Sequence, residues 1–154
     1  MVTNVRGRFE SFEGTLVMEE GDPTESSIEG SVDVASVKTG VSPRDSNLRS
    51  AGFFDAQGFP KMSFRSARIG PLEGDRFKVY GELTIKEVTR EVAFDVVNKG
   101  EMPGENGNRR WAFDASIALN RKDFGLQWNA LMELGGLLVV DDVSGLLEIQ
   151  FVEE

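Results

Sequence analysis

Residues 77–97, "FKVYGELTIKEVTREVAFDVV", decide the fold. Phe77, Val79, Leu83 and Ile85 fall on one side of an alternating pattern; Lys78, Tyr80, Glu82, Thr84 and Lys86 fall on the other. Successive side chains of an extended chain point to opposite faces, so a period of two marks a strand with one buried and one wet face. The alternation resumes at Val92, Phe94 and Val96. The stretch therefore predicts two antiparallel strands joined by a turn over 86–91, in which Lys86, Glu87 and Arg90 are solvated charges.

The same period runs outward from this hairpin. "RWAFDASIALN" (110–120) alternates through Trp111, Phe113, Ala115, Ile117 and Leu119, and "LLEIQFVEE" (146–154) through Leu147, Ile149 and Phe151. Upstream, "SSIEGSVDVASV" (26–37) offers Ile28, Val32 and Val34, and "KMSFRSARIG" (61–70) offers Met62 and Phe64. Turn-rich segments separate the strands at 19–26, 70–76 and 98–109. Gly30 and Gly81 stand inside strands, where a bend or a close backbone approach is the usual reason for glycine. Seven or so antiparallel strands with one apolar face stack as a sandwich or close into a barrel. Periodicity alone does not tell a filled interior from a hollow one.

Composition narrows the chemistry. The 154 residues suit one domain, 1–154, with 26 acidic and 17 basic residues and a formal net charge of −9. That balance repels nucleic acid and anionic membrane surfaces. There is no cysteine and no histidine, which excludes thiol chemistry, disulfides, Ser-His-Asp arrangements and the commonest transition-metal ligands. We expect no cofactor, no metal and no membrane-spanning segment. No basic-then-apolar leader opens the sequence, which points to the cytoplasm as it stands, and to the periplasm or secretion if its start is truncated.

One stretch resists the meander: "SPRDSNLRSAGFFDAQGFP", 42–60. Ser42 as cap, Pro43 at the first helical position and Gly52 as the stop predict a short helix near 43–50. Two readings stand side by side. In one, Arg44, Asp45 and Arg49 meet a ligand's head group while Phe53, Phe54 and Phe59 line its entrance. In the other the segment is a structural lid, with Arg44–Asp45 and Arg49–Asp55 paired locally and the phenylalanines plugging the end. "NRKDFGLQWN" (120–129) poses the same choice: Arg121 and Trp128 as ligand contacts, or Asn120 and Asp123 as turn residues with Phe124 and Trp128 packing a barrel end. Asp141 and Asp142 stand too alone for a calcium loop and read as a loop or strand edge.

Three blocks, "RDSNLRSAGFFDAQGFPKMSFRS" (44–66), "GELTIKEVTREVAFDV" (81–96) and "ALNRKDFGLQWN" (118–129), occur in this order and together resemble the YceI-like family, the lipocalin-like polyisoprenoid-binding domain. The likeness extends from "NVRGRFESFEGTL" to "VVDDVSGLLEIQF". It implies an all-β, antiparallel lipocalin-like barrel, often a homodimer, that holds a long-chain isoprenoid or other lipid amphiphile and is not an enzyme. Under that implication Val79, Leu83, Phe94, Trp111, Phe113, Ile117 and Ile149 line an apolar tunnel. Family members usually begin with a further strand, rich in histidine, before the segment matching "MVTNVRGRF". This sequence starts at that segment, so either its start is truncated or the barrel has a gap there. Two other classes remain to be weighed: a ligand-free interaction or stress-response module, and a lipid-modifying enzyme using Asp45, Lys122 and Asp123.

Overall fold

The hairpin over 77–97 lies at the centre of a seven-stranded sheet. The computed structural model describes residues 8–19, 21–104, 107–124 and 142–153. The barrel sheet contains β2 (Phe12–Val17), β3 (Ser27–Asp33), β5 (Lys61–Ile69), β6 (Arg76–Ile85), β7 (Val88–Pro103), β8 (Arg109–Asn120) and β9 (Asp142–Val152), antiparallel and in that spatial order. It is a nearly closed barrel. Two short strands, β1 (Arg8–Phe9) and β4 (Val37–Lys38), pair with each other at one end.

Register carries the alternation across the whole sheet. Val79 stands opposite Phe94, Val96 opposite Ala115 and Phe113 opposite Ile149, so the apolar sets of successive strands share one face. That face is the inside. The other face carries exposed ion pairs such as Lys61–Asp33, Arg65–Glu29 and Lys78–Asp95. The turn between β6 and β7 is tighter than expected: it has two residues, Lys86 and Glu87, with Lys86 at φ 56°, and Val88 already pairs with Ile85. Arg90 therefore belongs to a strand, and its Nε donates to the Asp123 carbonyl at 3.1 Å rather than pointing only into water.

Gly81 meets the expectation of close approach. A Cβ there would lie 2.3 Å from the Arg65 carbonyl oxygen and 2.7 Å from Cζ of Phe64, so only glycine lets β5 and the Phe64 ring lie this close. The segment over 98–109 departs from expectation. Its Asn, Gly and Pro residues read as one long turn, yet β7 runs on to Pro103 through a bulge between Asn98 and Gly100. Gly100 takes φ 113° and its N–H donates to Asn98 Oδ1 at 2.9 Å. A bulge inserts one extra residue and changes which side chains face inward beyond it.

The ladder does not join β2 to β9 among the described residues. The two strands still face each other across the seam, since a Cβ on Gly14 would touch the Phe151 ring at 3.9 Å.

At one end the chain leaves the sheet after β3 and builds a lid. A 3-10 turn (Val34–Ser36), β4 and the helix α1 (Ser42–Arg49) bring Val37, Leu48 and Phe53 against Ile85 and Phe124, with Phe9, Phe54 and Leu119 packed around them. The helix comes where the sequence places it, with different ends. Val41 is the cap residue, Ser42 is already helical and its side chain caps nothing. The helix stops at Ser50, whose N–H donates back to the Asn47 carbonyl at 3.1 Å, before Gly52 is reached.

Candidate ligand-binding site

The inner wall is apolar and only partly covered. Val79, at the waist, is 1% exposed, as a side chain in a filled core would be. Leu83, Phe94, Trp111, Phe113, Ile117 and Ile149 share its face but are only half-buried. Phe64 and Phe94 meet edge to face at 4.9 Å, and Phe77, Phe113 and Phe151 form a chain of edge contacts at 6.2 and 6.1 Å. Gly14 and Gly30, paired on β2 and β3, contribute no side chain to this wall. The wall thus combines aromatic and aliphatic surface with space that its own side chains leave accessible.

Two clefts lie on the outer surface. One of about 570 Å³ is lined by charged and polar residues, among them Glu13, Glu29, Arg65 and Glu82; another of about 610 Å³ mixes Lys78, Asp95 and Asp114 with Tyr80, Val97 and Leu146. The charges of the first, with Arg65 paired to Glu29, suit water better than an apolar chain.

The polar residues of 42–60 bond within the lid and to Thr39, with partners other than the expected ones. Asp45, 7% exposed, does not pair with Arg44; it accepts from the Thr39 N–H at 2.9 Å and from the Thr39 hydroxyl. Arg44 turns to the same threonine, donating Nε to its hydroxyl at 2.8 Å and Nη2 to its carbonyl at 2.9 Å. Arg49 donates to Ser46 Oγ at 3.4 Å instead of pairing with Asp55, and Asp55 accepts the Gly58 N–H at 3.2 Å. A buried carboxylate needs such donors, which explains why Thr39 sits between two charged residues. Phe53 is buried; Phe54 and Phe59 are half-buried, and Phe53 meets Phe54 edge to face at 4.7 Å.

Arg121 begins the 3-10 turn Arg121–Phe124 that closes β8, and Phe124 is buried in the lid core. Trp128 and Asp141 lie outside the described residues.

Sequence reasoning missed the charged residues at the opposite end. Because the bulge precedes Glu101, that residue stands opposite the inward-facing Trp111. Arg109, two residues before Trp111, shares its face; its guanidinium lies 4.9 Å from the Trp111 ring centre. Arg109 Nη2 meets Glu153 at 2.8 Å and its Nε lies 3.7 Å from Glu101. Extending the period of two one step before Arg110 would have placed Arg109 on this face, but the stretch read as a turn.

A closed-up antiparallel sheet around an apolar, accessible interior with a lid over one end is the architecture of a lipocalin-like barrel. The YceI-like domain family matches residues 1–151, and the chain belongs to it. It is 31% identical over 121 residues to a UPF0312 protein of Photorhabdus laumondii, covering 79% of this chain and 62% of that one. The chain thus spans less than two thirds of the length of that relative. Its fold superposes on the YceI protein of Campylobacter jejuni with a TM-score of 0.84 at 23% identity, covering 100% of this chain and 88% of the other. A domain of Saccharophagus degradans described as polyisoprenoid-binding and implicated in plant cell wall breakdown matches with a TM-score of 0.63 at 16% identity, over 96% and 84% of the two chains.

Proposed function

We propose that this domain binds a long-chain amphiphile of the polyisoprenoid or isoprenoid-quinone type, with the tail inside the barrel. The observation that carries the proposal is the inner wall: large apolar side chains share one face of a nearly closed sheet, yet stay half-buried. The description of the Saccharophagus degradans domain as polyisoprenoid-binding supports the same ligand class.

The tail supplies the affinity. Ten buried methylenes contribute roughly 8 kcal/mol gross, against an association cost of at least ~4 kcal/mol. A non-directional interaction of this kind tolerates several tails of similar girth. We read the chain as a binder rather than a catalyst: Asp45, the buried candidate for acid–base work, has its carboxylate committed to Thr39. A second copy of the chain is the protein partner that this reading carries with it, and sedimentation equilibrium would test that point separately.

Organic extraction of purified protein followed by mass spectrometry tests the proposal. The expected result is a co-purifying isoprenoid, lost in Ile117→Trp, which fills the interior without adding polarity. A lipid-free extract, together with no uptake of added polyprenol, would overturn it.

A further inference from the structure

The two ends of the barrel differ in how their polar groups are committed, and this bears on the ligand's head group. At the lid end Arg44 and Asp45 are tied to Thr39, and the end is plugged by Leu48, Phe53 and Phe124. At the other end, β7, β8 and β9 finish together, and their inward-facing residues form a small charged group above the aromatic wall. Trp111 stands opposite Glu101 on one side and Phe151 on the other. Arg109 lies over the Trp111 ring, held by Glu153 at 2.8 and 3.0 Å, with Glu101 at 3.7 Å. The Glu153 N–H also donates to the Arg109 carbonyl at 2.9 Å, which anchors the end of the chain beside β8. All three charged side chains are between 38% and 47% exposed, so they reach water and the interior at once.

From this arrangement we infer that the Glu101–Arg109–Glu153 group, seated on Trp111, is the head-group site, and that it selects amphiphiles whose head is a neutral or cationic hydrogen-bond donor, such as an alcohol or an amine, over phosphates. The inference rests on the proposed binding of a lipid tail in the barrel. Among the described residues, two carboxylates and one guanidinium leave the group with one net negative charge. Arg109 is the cation a phosphate would seek, and its fork is already engaged by carboxylate oxygens. A diphosphate would have to displace Glu153 and lie beside Glu101, like charge against like charge. A carboxylate has acceptor capacity beyond a single bond, so a hydroxyl or ammonium head can be added to the group without breaking it. The tail then continues past Trp111 along Phe113 and Phe77 toward the waist. This moves the head group from Arg44, Asp45 and Arg49 at the lid to the opposite end of the barrel.

The test compares geranylgeranyl amine, geranylgeraniol and geranylgeranyl diphosphate, which share a tail and differ only in the head. Binding to the full chain is followed by calorimetry and by tryptophan fluorescence. The expected order is amine, then alcohol, then diphosphate, with the diphosphate at least about tenfold weaker than the alcohol. In the double variant Glu101→Gln, Glu153→Gln, whose melting temperature is measured alongside, the diphosphate gains about tenfold relative to the alcohol and the amine loses its lead over the alcohol. Tightest binding of the diphosphate to the unaltered chain overturns the head-group assignment and leaves the lipid-binding reading standing. So does a folded double variant whose preference among the three has not moved. If none of the three binds saturably, both fall. The ranking in the unaltered chain decides the matter even if the double variant does not fold.

Discussion

Arg44 at the lid and Arg109 at the mouth are both half-exposed arginines beside a carboxylate-bearing neighbour, yet they do different work. Arg44 gives its donors to the hydroxyl and carbonyl of Thr39, and Asp45 takes two bonds from the same residue, so the charges brace a loop from within. Arg109 joins three strand ends and lies on an aromatic ring at the edge of the apolar wall. A charge whose partners are backbone and neighbouring side chains of its own segment fixes that segment. A charge shared between strand ends, facing the interior, is placed where it can also meet a molecule entering there.

Substitutions at the two ends should separate accordingly, stability being lost at the lid and selectivity at the mouth. The largest effect is expected for Phe53→Ala, which removes a buried ring from the lid core and costs roughly 3–5 kcal/mol. At 2–4 °C per kcal/mol, the melting temperature should fall by roughly 6–20 °C. A fall of a degree or two would mean that the lid packs on the barrel without supporting it. Next comes Asp45→Ala, which strips the Thr39 N–H and hydroxyl of their acceptor and should cost roughly 2–3 kcal/mol in urea unfolding. If that variant keeps its stability but changes ligand preference, the roles of the two ends are exchanged.

Trp111→Ala should cost only about 1–2 kcal/mol, since the ring is half-buried, but should weaken prenyl-alcohol binding by tenfold or more. Calorimetric titration beside a thermal melt reads both quantities on one sample. The smallest effect belongs to the outer face. Lys61→Ala breaks ion pairs of 3.6 and 3.7 Å to Glu13 and Asp33, all well exposed, and should change stability by no more than about 0.5 kcal/mol. A larger loss there would show that the outer ladder holds β2 and β5 to β3.

What the sequence made legible follows the reach of local physics. Alternation over 77–97 gave both strands of the central hairpin and their inward faces, because a half-buried strand records its orientation in every second residue. Gly81 was readable for the same reason: glycine in an otherwise alternating run marks an approach too close for a side chain. The lid was legible as an interruption and a helix, while its bonding was not. Arg44 and Asp45 are neighbours, and nothing local indicates that both would choose Thr39 over each other. The mouth was hidden by the segment over 98–103, whose Asn, Gly and Pro residues are those of a turn. Only the pairing partner on β8 shows them to be a strand with a bulge.

That bulge also makes the mouth alterable by length rather than by chemistry. Lys99 is the extra residue that sets Glu101 facing inward and leaves Met102, 41% exposed, outside. Deleting Lys99 alone would only flatten the bulge and leave Glu101 opposite Trp111, whereas deleting Asn98 with it would turn Met102 toward the interior and Glu101 toward solvent. A lineage that lost these two codons would set a methionine where the rim now carries Glu101, with every other residue of the barrel unchanged.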